Sequence, residues 1–149
     1  VTVYVDYAHA PDALTKAIAS IQELSGGRTI VVFGCGGNRD AGKRPIMGAA
    51  ALAADFAVVT SDNPRHEDPQ AIIDDIVAGM DADGAFIVEP DRRAAIAAAI
   101  AEARPGDAIL LAGKGHEDYQ LVGDAVLDFD DRKVAAEELV RAFGETETN

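Results

Sequence analysis

Four short segments hold nearly all the reactive side chains of this chain. They are Tyr7–Asp12, Gly34–Arg44, Ser61–Asp68 and Gly113–Tyr119, and they contain all three histidines. The second segment is the most specific. Gly37-Asn38-Arg39-Asp40-Ala41-Gly42-Lys43 satisfies G-x-x-x-x-G-K, the pattern of a loop whose amides and lysine cradle phosphates. Arg44 follows, where a nucleoside triphosphatase needs a Ser or Thr hydroxyl for magnesium. A self-sufficient phosphate loop is therefore rejected. What remains is a glycine-rich turn in which Arg39, Lys43 and Arg44 face Asp40 alone. Such local positive charge beside exposed amides suits a phosphate or another anion. The plainer reading is a solvated loop whose arginines pair with surface carboxylates.

Asp62-Asn63-Pro64-Arg65 offers a different chemistry. Pro64 stiffens the turn, Asn63 both donates and accepts, and Arg65 can hold a carboxylate through two parallel hydrogen bonds. Asp62 could answer an ammonium group. Together these residues suit a zwitterionic amino acid, although a capped turn ahead of a helix near Asp68 would use the same ones. In Gly113-Lys114-Gly115-His116-Glu117-Asp118 the glycines permit close backbone approach, Lys114 can reach an anion and Glu117 can accept from an amine. His-Glu-Asp occurs at 66–68 and again at 116–118. Neither copy has the i, i+4 histidine pair of a helical zinc site or a partner cysteine, so no metal site is expected. Cys35 has no base beside it and reads as a small buried filler. His9 is either a helix-start residue or a nucleotide contact.

The elements that must position these loops follow from the apolar pattern. Val1–Tyr7, Arg28–Phe33, Phe56–Thr60, Ala85–Val88 and Ala108–Ala112 read as buried strands. Between them, helical spacing runs over Pro11–Leu24, Pro45–Ala54, Ala71–Met80 and Asp91–Ala103, and a last helix covers Asp131–Phe143. Gln120–Val122 and Ala125–Leu127 flank Gly123-Asp124 and read as a hairpin. Strand–helix alternation predicts a three-layer α/β/α, Rossmann-like domain. Its sheet is expected to be mostly parallel, with about six strands and one antiparallel edge strand or hairpin. Ligands of such sheets bind where loops leave the carboxyl ends of the strands, which is where all four segments fall.

Composition narrows the partners. The 149 residues carry 26 acidic against 13 basic side chains, a net charge of −13, and that field repels nucleic acid and anionic membrane. No apolar run approaches the roughly 20 residues of a membrane span, so no membrane insertion is expected. A single cysteine suits a cytosolic protein. The abrupt strand-like start suggests a piece of a longer protein, and the polar tail Glu145–Asn149 reads as a frayed end.

Taken in order, Asp6-Tyr-Ala-His-Ala-Pro-Asp12, Gly34-Cys-Gly-Gly-Asn-Arg-Asp-Ala-Gly-Lys-Arg-Pro45, Asp62-Asn-Pro-Arg65 and Gly113-Lys-Gly-His-Glu-Asp-Tyr-Gln120 resemble the C-terminal domain of the Mur ligase family. The resemblance covers essentially all of residues 1–149, and within the family it lies with ligases adding the third residue of the peptidoglycan stem peptide. Two departures are small: Ala10 stands where the family usually has Thr, and Asn38 where it usually has Asp.

The resemblance implies a bacterial, cytoplasmic enzyme of three cooperating domains. An N-terminal domain binds the UDP-N-acetylmuramoyl dipeptide. A central domain holds ATP and Mg2+. The C-terminal domain closes against the central one, bringing the incoming amino acid. ATP phosphorylates the acceptor carboxylate, and the amine attacks the acyl phosphate. Carried onto this chain, Asp6, His9, Asp40 and Lys43 would lie on the nucleotide side. Arg39, Asn63, Arg65, Gly113 and Glu117 would contact the amino acid, with Asp62 shaping that pocket. No general base is assigned. Asp-Asn-Pro-Arg resembles the form used for meso-diaminopimelate, whose second carboxylate partners a guanidinium, whereas lysine-adding relatives lack that arginine. Two other readings stay open at this point: a Mur-type ligase for lysine or another amino acid, and a non-catalytic nucleotide-sensing α/β module.

Overall fold

A computed structural model describes residues 1–144; the tail Glu145–Asn149, read above as a frayed end, lies outside them. Five strands alternate with helices: β1 Thr2–Asp6, α1 Pro11–Leu24, β2 Thr29–Phe33, α2 Arg44–Ala51, β3 Phe56–Val59, α3 Pro69–Val77, β4 Phe86–Val88, α4 Arg92–Glu102 and β5 Ala108–Ala112. A hairpin of β6 Tyr119–Val122 and β7 Ala125–Asp128 precedes α5 Asp131–Phe143.

The strands form one sheet in the order β1-β5-β2-β3-β4, and every pair is parallel. β2 (TIVVF) and β5 (AILLA) are buried at every residue, as strands covered on both faces must be. Alternation along them sorts the core into two layers. Val31, Phe33 and Leu110 pack with Leu14 and Ile18 of α1, Met47 of α2 and Ile73 and Ile76 of α3. Ile30, Val32, Ile109 and Leu111 face the other way, onto Ala95, Ile96, Ala99 and Ile100 of α4 and Val134 of α5. The alanines of α4 let that helix sit close on the sheet.

Helix starts follow local chemistry. Pro11 and Pro69 occupy first turns, where a missing N–H costs nothing. The side chains of Asp68, Asp91 and Asp130 accept from Gln70 N, Arg93 N and Arg132 N, capping α3, α4 and α5. The chain reverses at the amino ends of β2 and β5 through Gly26-Gly27 and Pro105-Gly106.

The expected architecture is observed, with one difference. The main sheet has five strands, and β6–β7 forms a sheet of its own. The hairpin is fastened to a loop and not to a sheet edge. Arg65 N–H donates to Leu121 O (2.9 Å), and Gly123 N–H donates to Arg65 O (2.5 Å). Among the described residues no helix is long and apolar enough to cross a membrane.

Candidate functional site

Because all five strands run the same way, the loops after β1, β2, β3 and β5 leave one rim together. They enclose a cleft of about 260 Å³. Its lining includes Arg39, Asp62, Asn63, Arg65, Gly113 and Glu117, the six residues expected around the amino acid, and also His9 and Lys43 from the nucleotide set. Tyr7, Gly34, Cys35 and Gly36 complete it.

The loops after β2 and β3 meet backbone to backbone. Gly37 N–H donates to Asn63 O at 2.7 Å, and a Cβ on Gly37 would lie 1.8 Å from Pro64 O. Only glycine permits that approach. Arg65 is held at φ +53°, a left-handed conformation that is costly for a long side chain. The two backbone bonds to the hairpin hold it there. Its Nη1 donates to Gly37 O (3.0 Å) and Asn63 O (3.4 Å), so the guanidinium lies across the junction of the two loops. Strain kept at a charged, cleft-lining residue is a mark of function.

The carboxylate side of the cleft comes from β3 and β5. Gly113 turns at φ +113°, and a Cβ there would lie 2.5 Å from Asp62 Oδ2. Asp62 is buried, and burial pushes its carboxyl above the ordinary range, against the pull of the Arg92 and Lys114 charges. Glu117 Oε1 accepts from Asn63 Nδ2 at 3.2 Å.

A pH-dependent prediction follows. With a folded-state value above the unfolded one, Asp62 favours the native state when protonated, and that contribution is lost as pH rises through the folded value. Asp62→Asn is therefore expected to be more stable than the parent at pH 7 in urea unfolding. The difference should vanish below about pH 4, the ordinary carboxylate range. A difference that stayed constant across that window would contradict it.

His9 and Lys43 also line the cleft. Lys43 Nζ donates to His9 O at 3.0 Å, and the His9 ring meets Tyr7 edge-on at 4.8 Å. Asp6 and Asp40 are not brought into the cleft. Asp6 Oδ1 accepts from Ala8 N (3.1 Å), and Asp6 lines an adjoining groove along β1 and α1 that shares Tyr7 and His9 with the cleft. Asp40 Oδ1 accepts from Gly42 N (2.9 Å), capping the short 3-10 turn Ala41–Lys43.

Two cations do not play the parts their spacing suggests. Arg44 is 2 % exposed. Its Nη1 donates to Asp75 (2.9 Å) and its Nη2 to Glu67 (2.5 Å) and Gly36 O (3.2 Å). The guanidinium is thus neutralised and cannot serve an anion, leaving Arg39 and Lys43 as the loop's available charges. Arg44, backed by Asn38 N–H, also holds the Glu67 carboxyl below its usual range. Lys114 is fully buried, with its ammonium among Asn63, Glu117 and Tyr119; it too cannot reach an external anion. Cys35 fits its expected filler role. It is 5 % exposed, and burial pushes its thiol up to about 12.

Arg92 carried no signal beyond being a cation in an alanine-rich helix. It is buried and grips Asp131 through Nε (2.8 Å) and Nη2 (2.7 Å). Nη1 reaches Ser61 O at 2.9 Å and Nη2 reaches Ala112 O at 3.3 Å. One side chain therefore ties together the chain just after β3 and the end of β5, directly beneath Asp62 and Gly113.

For ATP and magnesium, the chemistry of the donor set is mixed. Among the described residues no three His, Cys, Asp or Glu side chains gather as a metal-binding group, and the position of the magnesium hydroxyl is occupied by the sequestered Arg44. Lys43 and His9 can still face a nucleotide from one side.

Comparison with known proteins agrees with this geometry. Residues 1–115 match the family described as "Mur ligase, glutamate ligase domain". The chain is 59% identical over 145 residues to a UDP-N-acetylmuramoyl-L-alanyl-D-glutamate–2,6-diaminopimelate ligase of Chromobacterium violaceum, covering 95% of this chain and 29% of that protein. It is 55% identical over 148 residues to the protein of the same name from Solibacter usitatus, covering 98% of this chain and 30% of that one. A solved structure bearing this ligase name superposes with a TM-score of 0.90 at 41% identity, over 97% of this chain and 30% of the other. The chain thus spans less than a third of the length of these relatives. Matched over most of its length, it belongs to the Mur ligase family, as the glutamate ligase, or C-terminal, domain.

Proposed function

We propose that this chain is the amino-acid-binding domain of an ATP-dependent bacterial ligase that joins meso-diaminopimelate to a UDP-N-acetylmuramoyl dipeptide in the cytoplasm. The observation that carries the reading is the charge arrangement of the cleft. Arg39 and Arg65 line a single opening together with Asp62, Glu117 and Asn63. A diamino diacid needs both signs. Its carboxylates meet guanidinium groups, and its ammonium groups meet carboxylates. A substrate ending in a bare ammonium, such as lysine, would meet Arg65 with like charge, so the same group attracts one substrate and repels the other. The names of the relatives support this assignment.

In this reading the acceptor carboxylate would take the γ-phosphoryl group of ATP with release of ADP, and magnesium would supply charge neutralisation at the phosphates. ATP and magnesium would be held mainly by a central domain outside this chain. The chain's own residues bind and orient. Arg65, Arg39 and Asn63 fix the incoming amino acid, the Asp62 and Glu117 carboxylates hold its ammonium groups, and Lys43 and His9 face the nucleotide when the domains close. No residue of the cleft takes a proton by assignment, since positioning and electrostatics dominate such transfers.

The direct test is substrate choice by the full-length ligase. Diaminopimelate should support phosphate release, and lysine at the same concentration should not; equal use of both would overturn the assignment. The isolated chain should show no diaminopimelate-dependent phosphate release from ATP, because it has no complete phosphate cradle. Turnover by the chain alone would refute the division of labour.

A further inference from the structure

We propose that Lys114 is a positioning residue: its buried ammonium sets which hydrogen-bonding groups the amino-acid cleft presents. This rests on the functional reading above. The turn at Gly113 sends Lys114 beneath the cleft, where it is wholly inaccessible. An ammonium has three donors and no acceptor, and each has a partner here. Nζ donates to Asn63 Oδ1 (3.2 Å), Glu117 Oε1 (3.4 Å) and Tyr119 O.

The consequence falls first on Asn63. Its side-chain amide could in principle sit either way round. Oδ1 takes Lys114 Nζ and also Leu121 N–H at 2.9 Å. Two donors converge on that atom, so it must be the oxygen, and Nδ2 must be the end directed at Glu117. Glu117 Oε1 then accepts from both Asn63 Nδ2 and Lys114. Oε2 has no protein partner among the described hydrogen bonds, and the side chain retains 18% of its accessibility. Asn63 and Glu117 thus present an amide nitrogen and an anionic oxygen in a fixed order, held together by a cation that substrate cannot touch. Without it, Asn63 keeps Leu121 N–H but loses the cation that binds its amide and Glu117 together, and Glu117 loses its counter-charge in a poorly solvated place.

The test uses the full-length ligase with Lys114→Met, which keeps the length of the side chain and removes every donor. KM for diaminopimelate is expected to rise about tenfold to a hundredfold, as expected for misplaced binding groups, with KM for ATP and kcat little changed. Lys114→Gln keeps an N–H donor and should recover part of that loss; it also carries the test if Lys114→Met fails to fold. A fall in kcat with KM for diaminopimelate unchanged, or equal rises in the KM of every substrate, would show a merely structural lysine and overturn the proposal. A parent enzyme that did not use diaminopimelate would overturn the functional reading itself. A parent that did use it, with variants that left its KM unmoved, would overturn the positioning role alone.

Discussion

Arg65→Gly in the full-length ligase is expected to raise KM for meso-diaminopimelate about 30- to 700-fold while KM for ATP stays nearly constant. The magnitude is that of truncating one partner of a poorly solvated charge pair, about 2–4 kcal/mol. Glycine is the informative replacement because of the backbone. Arg65 sits at φ +53°, where an L side chain costs roughly 1–2 kcal/mol. Glycine removes that cost. The relief is offset by the chain entropy of glycine, about 0.5–1 kcal/mol, and by the lost bonds to Gly37 O and Asn63 O. Stability should therefore change by no more than about 1 kcal/mol, roughly the sum of these opposing contributions. Arg65→Lys keeps the charge and loses the planar fork, so it should recover only part of the affinity. Equal effects on diaminopimelate and ATP would place Arg65 in the nucleotide site or in folding.

The largest stability effect is expected at the ion pair beneath the cleft. Arg92→Met strands Asp131 in the interior and should cost about 3–5 kcal/mol in urea unfolding. Asp131→Asn should be milder, because the amide oxygen can still accept from the guanidinium. Arg92→Met/Asp131→Leu should regain much of the single-variant loss, since neither charge then remains buried. Recovery should stop short of the parent, because Ser61 O and Ala112 O lose their donor. A loss below about 1 kcal/mol for Arg92→Met, the range of an exposed pair, would mean that the interior is far better solvated than its burial indicates.

Much of the architecture was legible in the amino-acid order. Short unbroken apolar runs such as Ile30–Phe33 and Ala108–Ala112, bounded by glycines, read as strands covered on both faces, and the rule for parallel sheets then points to the loops that follow them. Eight of the ten expected site residues do line one cleft. The misreadings share a cause. Lys114 stands between two glycines and Arg44 follows a glycine-rich turn, and that setting suggests anion binding. Their true partners, Glu67, Asp75 and Asn63, are brought to them by the packing of other elements, which spacing cannot reveal. Asp6 and Asp40 lie outside that cleft, for a local reason. Each has one carboxylate oxygen engaged by a backbone N–H two residues ahead, the short-range bonding that Asp side chains favour. The hairpin was visible from Gly123-Asp124, but its docking against Arg65 depends on a loop more than fifty residues earlier in the chain.

The reversals at the amino ends of the strands have a practical use. A side-chain carbon added at Gly26 meets no atom within 4 Å, and its backbone needs no left-handed angle. Gly26 lies at the far end of β2 from the binding rim. A cysteine placed there would give a thiol handle for a dye or a sensor surface, while Cys35 on the cleft wall is 5 % exposed and its thiol is pushed up to about 12 by burial. Immobilised by that handle, the domain would present its cleft outward in a single orientation.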